Sequence, residues 1–177
     1  MPRTLPKVAT ALDAPRDRLD LEERRFVAAI REHGWFRTNI FEEPGRPGYS
    51  FSTGFWVNRG HPEVIVFGLK SDIAHAVLWD LYRSLLANEE PVQGEPAWGI
   101  LGNHRACLLP VSREHYANYL GWSRWFYGND DFPCLQLIWP DRDDVFPWEL
   151  SFDKGLARAQ PDLSDVGWLT LGGSPRH

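Results

Sequence analysis

The stretch from Glu63 to Leu86 decides the fold class, and its sequence is EVIVFGLKSDIAHAVLWDLYRSLL. Residues 64–67 are all apolar, and a continuous apolar run of this kind predicts a strand that is covered on both faces of its sheet. From Ile73 onward, apolar residues recur every three or four positions, which predicts an amphipathic helix with Ser71 or Asp72 as its N-cap. The stretch therefore predicts a sheet with at least one helix packed on it.

The chain before this stretch predicts one helix and two strands. A helix begins near Asp20, a residue suited to the N-cap, and ends at Gly34, a residue suited to the C-terminal stop. Residues 35–41 and 49–56 predict strands, separated by a loop rich in proline and glycine. Alternation in the second strand predicts that Tyr49, Phe51 and Thr53 face one side, while its small residues face the other.

The chain after this stretch predicts a hairpin or a pair of short strands within residues 100–111. A third helix is expected from Arg113 to about Tyr127, capped by Ser112 and closed by Gly128, and a last strand from Cys134 to Trp139. Strands joined by short turns favour antiparallel pairing. The sequence therefore predicts an α+β fold, with a single mostly antiparallel or mixed sheet and three principal helices packed on it, rather than a doubly wound α/β fold.

The length of 177 residues fits one domain. Residues 1–18 lack hydrophobic periodicity and are expected to form a flexible N-terminal arm. The α+β domain is expected over residues 19–150, followed by an irregular C-terminal segment over residues 151–177.

Composition narrows the class of partner and the compartment. The net charge of −5, with scattered arginines and few lysines, argues against nucleic-acid binding. Apolar runs fall short of the roughly 20 residues that span a membrane, and the first residues lack the apolar stretch of a secretory signal, so we expect a cytoplasmic protein. Cys107 and Cys134 lie in apolar runs and are expected to be buried, reduced thiols.

Three segments together resemble a known family. They are YSFSTGF at residues 49–55, GHPEV at residues 60–64, and LQLIWPD at residues 135–141, the last followed by FPWE at residues 146–149. Their order and spacing resemble the bacterial family called domain of unknown function 4262, over roughly residues 20–150. The resemblance implies a fold and a compartment, and it implies no particular reaction.

Polar residues at strand ends form a candidate catalytic set. His61 and Glu63 lie two apart on an extended chain, so they point to the same side and can act as an acid–base pair or share a metal. Asp141, after the last strand, is a candidate third member, and we expect the three side chains to lie close together. The alternative is structural: His61 holds the turn, Glu63 is a solvated strand end and Asp141 is turn chemistry. No zinc, phosphate-loop or serine-hydrolase motif occurs, and no cofactor is indicated.

A second set of residues is a candidate for ligand binding. The hydroxyl of Thr53 adjoins Gly54, which allows close approach of a backbone or a substrate oxygen. Trp56, Trp139 and Trp148 can line an aromatic pocket, although packing of the indole rings in the core is the alternative.

Three functions remain open from the sequence. The first is a cytoplasmic binding or interaction protein, for example a neutralising or accessory partner of another protein. The second is a small hydrolase-like enzyme that uses His61, Glu63 and Asp141, and the third is a small-ligand sensor with an aromatic pocket. The acidic charge, the ring-rich third helix and the lack of a complete catalytic motif favour the first, with another protein as partner and neither nucleic acid nor membrane.

Overall fold

The computed structural model describes residues 4–168 and 171. Five strands form one mixed sheet in the order β1-β2-β3-β5-β4, in which β3 and β5 are parallel and the other neighbours antiparallel. The strands are β1 (Phe36–Ile40), β2 (Tyr49–Thr53), β3 (Glu63–Phe67), β4 (Cys107–Pro110) and β5 (Cys134–Ile138). The predicted α+β class and single sheet are thus confirmed.

Helices cover both faces of this sheet. They are α1 (Leu21–His33), α2 (Phe55–Arg59), α3 (Ser71–Leu86), α4 (Tyr116–Tyr119) and α5 (Gly121–Tyr127). Short 3-10 turns occur at Ala11–Asp13, Arg16–Arg18, Arg113–His115 and Lys154–Leu156. None of the helices in the described part of the chain has the length and apolar character needed to cross a membrane.

Helix α3 packs on one face of the sheet. Leu78, Leu81 and Leu85 are buried there against Val64 and Val66 of β3. The predicted helix and buried strand are therefore confirmed, although the N-cap is Lys70, whose side chain makes no capping hydrogen bond.

Helices α1 and α5 cover the opposite face. Phe26 of α1 and Phe126 of α5 belong to one buried cluster with Phe51 and Ile65 of the sheet. In the β-sheet register, Tyr49, Phe51 and Thr53 of β2 lie across from Phe67, Ile65 and Phe36, respectively. Phe51, Ile65 and Phe67 all belong to the buried cluster on this face, so the predicted alternation of β2 is confirmed. Helix α1 has the predicted ends, with Asp20 in a capping box and Gly34 in the left-handed conformation.

Two elements differ from the sequence prediction because backbone geometry interrupts them. The strand predicted for residues 49–56 ends at Thr53, because Gly54 adopts φ +121° and the chain turns into α2. The helix predicted from Arg113 to Tyr127 is broken at Leu120 (φ −113°, ψ 37°), which separates α4 from α5. An amphipathic pattern continues through such a break, so periodicity alone does not reveal it.

The prediction of a hairpin or a pair of short strands within residues 100–111 is wrong. Only β4 forms there, and Ala106 makes an isolated bridge with Ala97 instead of pairing across a turn at Gly102. The predicted N-terminal arm holds two 3-10 turns, and Leu12 packs against the α1–α5 cluster. In the expected C-terminal segment, Leu163 is buried as well; residues 169–170 and 172–177 lie outside the described residues.

Both cysteines are free and buried, as predicted. Burial, followed by the charge of Glu95, raises the pKa of the Cys107 thiol to about 11. Burial, followed by the charge of Glu63, raises the pKa of Cys134 well above its ordinary value. Both thiols are therefore held in the neutral form and act as small core residues.

Candidate functional site

The Glu63 carboxylate lies fully buried at the start of β3 and accepts hydrogen bonds at both oxygens. Three consecutive backbone N–H groups at the start of α2 and two side-chain hydroxyls supply the donors. They are the N–H of Gly54 (2.8 Å), Phe55 (3.3 Å) and Trp56 (3.1 Å), Ser52 Oγ (2.5 Å) and Tyr127 Oη (2.6 Å). The side chain of Glu63, which comes from β3, thus accepts the hydrogen bonds that the side chain of an N-cap residue of α2 would otherwise accept.

Both hydroxyl donors are oriented toward Glu63 by a second hydrogen bond. Ser52 Oγ accepts from the N–H of Val64 at 3.0 Å, and Tyr127 Oη accepts from the N–H of Val57 at 3.3 Å. Each hydroxyl hydrogen is therefore left to donate to the carboxylate. Burial raises the pKa of Glu63, and the hydrogen bonds from Ser52 and Tyr127 offset part of that rise.

Thr53 and Ser123 extend this network to the neighbouring helix. Ser123 Oγ donates to the carbonyl of Ser52 at 3.2 Å and lies 2.7 Å from Thr53 Oγ1, so Thr53 donates to Ser123. All of these polar atoms are buried. Ser52, Ser123 and Tyr127 were not identified from the sequence as members of this network. The feature of the sequence that indicates two of them is the spacing of Ser123 and Tyr127, which carry hydroxyl groups four positions apart on a helix rich in aromatic residues.

His61 lies at the turn before β3 and is fully buried. Its Nδ1 is 2.7 Å from the carbonyl oxygen of Pro62, and its ring meets the edge of Phe55 with centroids 6.3 Å apart. These contacts agree with the structural alternative, in which His61 holds the turn between α2 and β3.

Asp141 organises a separate loop after β5. Its carboxylate accepts from the N–H groups of Asp143 (2.9 Å), Val145 (3.0 Å) and Asp153 (3.0 Å). Burial opposes the charge, but hydrogen bonds from Val145, Asp153 and Asp143 and the nearby His104 outweigh it, so the pKa of Asp141 is lowered. The Asp141 carboxylate is thus bound by backbone N–H groups of the segment that follows it in the chain.

The structure places Glu63 and Asp141 at opposite ends of the sheet. In the parallel pair of β3 and β5, Glu63 lies beside Cys134, the first residue of β5, whereas Asp141 follows the last residue, Ile138. From Cys134 to Ile138, strand β5 alone spans about 13 Å, at roughly 3.3 Å per residue. The expectation that His61, Glu63 and Asp141 lie close together is therefore wrong; His61 and Glu63 remain neighbours, and Thr53 lies with them.

The three candidate tryptophans lie in different parts of the core. Trp56 packs on the α1–α5 side, and Trp139 packs on the α3 side and donates from Nε1 to the carbonyl of Phe67 at 2.8 Å. Trp148 stacks on Phe146, with ring centroids 5.0 Å apart. The expected shared aromatic pocket is therefore not formed by these residues. Within the described residues, no group of three or more His, Cys, Asp or Glu side chains is placed to hold a metal ion.

The two edges of the sheet differ in how they are covered. At β4, the N–H of Gly94 donates to the carbonyl of Leu108 and the N–H of Asp165 donates to that of Pro110, both at 2.9 Å. At the opposite edge, β2 is the only strand paired with β1 among residues 4–168 and 171. The β4 edge is thus closed by the chain itself, whereas in the described part of the chain no further strand pairs with the β1 edge, which we call the open edge.

Exposed apolar side chains lie along β1 and on the neighbouring helix α3. Phe41, the residue after β1, is 78% exposed and lies across from Gly48 if the β1–β2 register is continued by one residue. Trp79 of α3 is 37% exposed and stacks on Trp35, the residue before β1, with centroids 6.2 Å apart. We call Phe36, Ile40, Phe41 and Trp79, all exposed, the edge patch.

A sequence model of the family described as Domain of unknown function (DUF4262) matches residues 29–153, well over half of the chain. The chain belongs to this family. The DUF4262 region contains Glu63 with all its donors, Asp141 and the whole of β1, so the buried network and the open edge both belong to the family domain. No curated protein and no solved structure matches the chain.

Proposed function

We propose that this DUF4262 protein is a binding protein that recognises a partner protein through the open edge of β1 and the edge patch. The observation that supports the proposal is the contrast between the two sheet edges, one closed by backbone hydrogen bonds and the other open. Unpaired N–H and C=O groups at a strand edge accept an added strand, and adjacent apolar side chains supply affinity.

The sequence of β1 carries few of the features that protect an open edge. Natural edge strands are often blocked by proline, by charged side chains such as lysine, or by a bulge. The strand Phe36–Ile40 contains neither proline nor lysine, its one charged side chain, Arg37, is bonded to Ser71 of α3, and all five of its residues pair in an uninterrupted register with β2. Because exposed apolar residues flank it as well, the edge is suited to a partner.

The buried carboxylates argue for this function over the hydrolase-like alternative. Glu63 and Asp141 are each surrounded by hydrogen-bond donors of their own fold and lie at opposite ends of the sheet. The separation of Trp56, Trp139 and Trp148 likewise leaves the ligand-sensor alternative without its pocket. We further propose that the protein acts in the cytoplasm, where its two free thiols stay reduced.

A site-specific photocrosslinker tests the proposal in living cells. Placed at Phe41, it is expected to capture a defined protein that is not captured from Glu32, an exposed position on α1. The captured protein is then purified, and its affinity for the full chain is measured by calorimetry.

Ile40→Lys is expected to weaken this binding at least tenfold, because lysine on an edge strand opposes strand addition. Leu150→Lys, at a fully exposed apolar residue outside the edge patch, is the matched control and is expected to bind like the wild type. Equal affinity of the wild type and Ile40→Lys for the purified partner would overturn the proposal.

A further inference from the structure

We propose that the partner at the β1 edge is a second copy of this chain, paired antiparallel through β1 about a twofold axis at Thr38. The inference rests on the proposed function, because it names the partner of the same open edge. Pairing of this kind joins two five-stranded sheets into one continuous sheet, and it uses the same surface on both copies, as a twofold dimer requires.

The register follows from the side chains of β1. With the axis at Thr38, Phe36 lies across from Ile40 of the second copy, and Arg37 lies across from Asn39 of the second copy. The first pair joins an aromatic ring to a β-branched side chain, a favourable cross-strand combination, and the second contains no like charges.

Other registers of the same strand are poorer. Moving the axis to Arg37 sets the two Arg37 side chains opposite each other, and like charges in that position are destabilising. Moving it to Asn39 sets Phe36 across from Glu42 of the second copy, an apolar ring against a carboxylate. Pairing at Thr38 is therefore the register that the sequence of β1 favours.

The same register also gives Phe41, the most exposed residue of the edge patch, a neighbour in the second copy. Continued by one residue at each end, the register sets residue 35 across from residue 41, which brings Phe41 of the second copy beside the position of the buried Trp35, on which the exposed Trp79 stacks. Alternation along the strand puts Phe41 on the same face of the sheet as Arg37. The guanidinium of Arg37 donates to Ser71 of α3, so this is the face that carries α3 and its exposed Trp79. In this register Phe36, Ile40 and Phe41 of the edge patch each lie across from an apolar residue of the second copy.

Sedimentation of the full chain between about 1 and 100 μM, the range expected for an interface of modest size, tests the inference. The wild type and Leu150→Lys are expected to form dimers, and Ile40→Lys and Phe41→Glu are expected to remain monomers with unchanged circular dichroism. A wild type that stays monomeric, or a dimer that survives both edge variants, would overturn the inference.

A cysteine crosslink tests the register separately. The axis brings the two Thr38 Cα atoms to about 4.5–5.5 Å, which is within the range of a disulfide. Mild oxidation is expected to link Thr38→Cys into a covalent dimer but not Arg37→Cys, which lies across from Asn39. Efficient linking of Arg37→Cys alone would overturn the register.

These outcomes separate the inference from the proposed function. A monomeric wild type, together with a different protein captured from position 41 and released by Ile40→Lys, overturns self-pairing and supports the proposed function. Absence of both dimer and captured partner overturns both.

Discussion

The hydroxyl of Tyr127 donates to Oε1 of Glu63 at 2.6 Å, and this buried contact joins the last residue of α5 to the first residue of β3. The same carboxylate receives the first N–H groups of α2 and the hydroxyl of Ser52 on β2. One acidic side chain thus connects three consecutive elements, β2, α2 and β3, with α5, whose Tyr127 lies 64 positions away. A buried carboxylate is tolerated there because each of its oxygens has several donors.

Removal of the Tyr127 hydroxyl tests the strength of this connection. Tyr127→Phe is expected to lower the free energy of unfolding by about 1.5–3 kcal/mol, the usual value for a hydrogen bond to a charged group, and it also leaves the N–H of Val57 without its acceptor. Urea denaturation provides the measurement. Tyr119→Phe, at a half-buried tyrosine on α4, is the control and should change stability by no more than a few tenths of a kcal/mol.

The raised pKa of Glu63 has a consequence for the pH dependence of stability. Between the unfolded-state and the folded-state pKa, the folded protein binds a proton that the unfolded chain has lost, so the contribution of Glu63 to stability falls as pH rises through this window. Glu63→Gln removes the titration. The difference in unfolding free energy between wild type and Glu63→Gln is therefore expected to decrease from acidic to neutral pH, and an increase would contradict the prediction.

Asp141 is expected to behave in the opposite sense. Its lowered pKa means that its contribution is present above the ordinary aspartic acid range and is lost as pH falls through the folded-state pKa. The melting temperature of the wild type should exceed that of Asp141→Asn at neutral pH, and the gap should close in acid. Asp143→Asn is the control, because the exposed Asp143 contributes its backbone N–H, which the substitution keeps.

Gly54 is expected to be the least replaceable glycine of the candidate site. It adopts φ +121°, and a Cβ there would lie 2.5 Å from the carbonyl oxygen of Gly34 and 2.8 Å from Cα of Trp35. Gly54→Ala should cost at least about 1–3 kcal/mol from backbone strain alone. Gly102→Ala, where a Cβ meets open space, should be nearly neutral in the same denaturation experiment.

The prediction that Asp141 lies close to His61 and Glu63 failed because the sequence does not show at which end of the sheet each residue lies. The sequence placed His61, Glu63 and Asp141 at strand ends, and that was accurate for each residue. Which end of the sheet each strand end occupies depends on the direction of pairing, and the parallel register of β3 with β5 sets Glu63 beside Cys134 and far from Asp141. Short turns between neighbouring strands suggested antiparallel pairs and gave no sign of this one.

The sequence by itself determined the elements whose signal is local. The ends of α1 follow from Asp20 and Gly34, and the burial of β3 and α3 follows from the spacing of their apolar residues, because capping and periodicity act within a few positions of the chain. Only the tertiary structure decided that Glu63 caps α2 and that Tyr127 supplies its hydrogen bond, since that contact spans 64 positions. It also decided which edge of the sheet stays open, because coverage of an edge depends on where distant loops return.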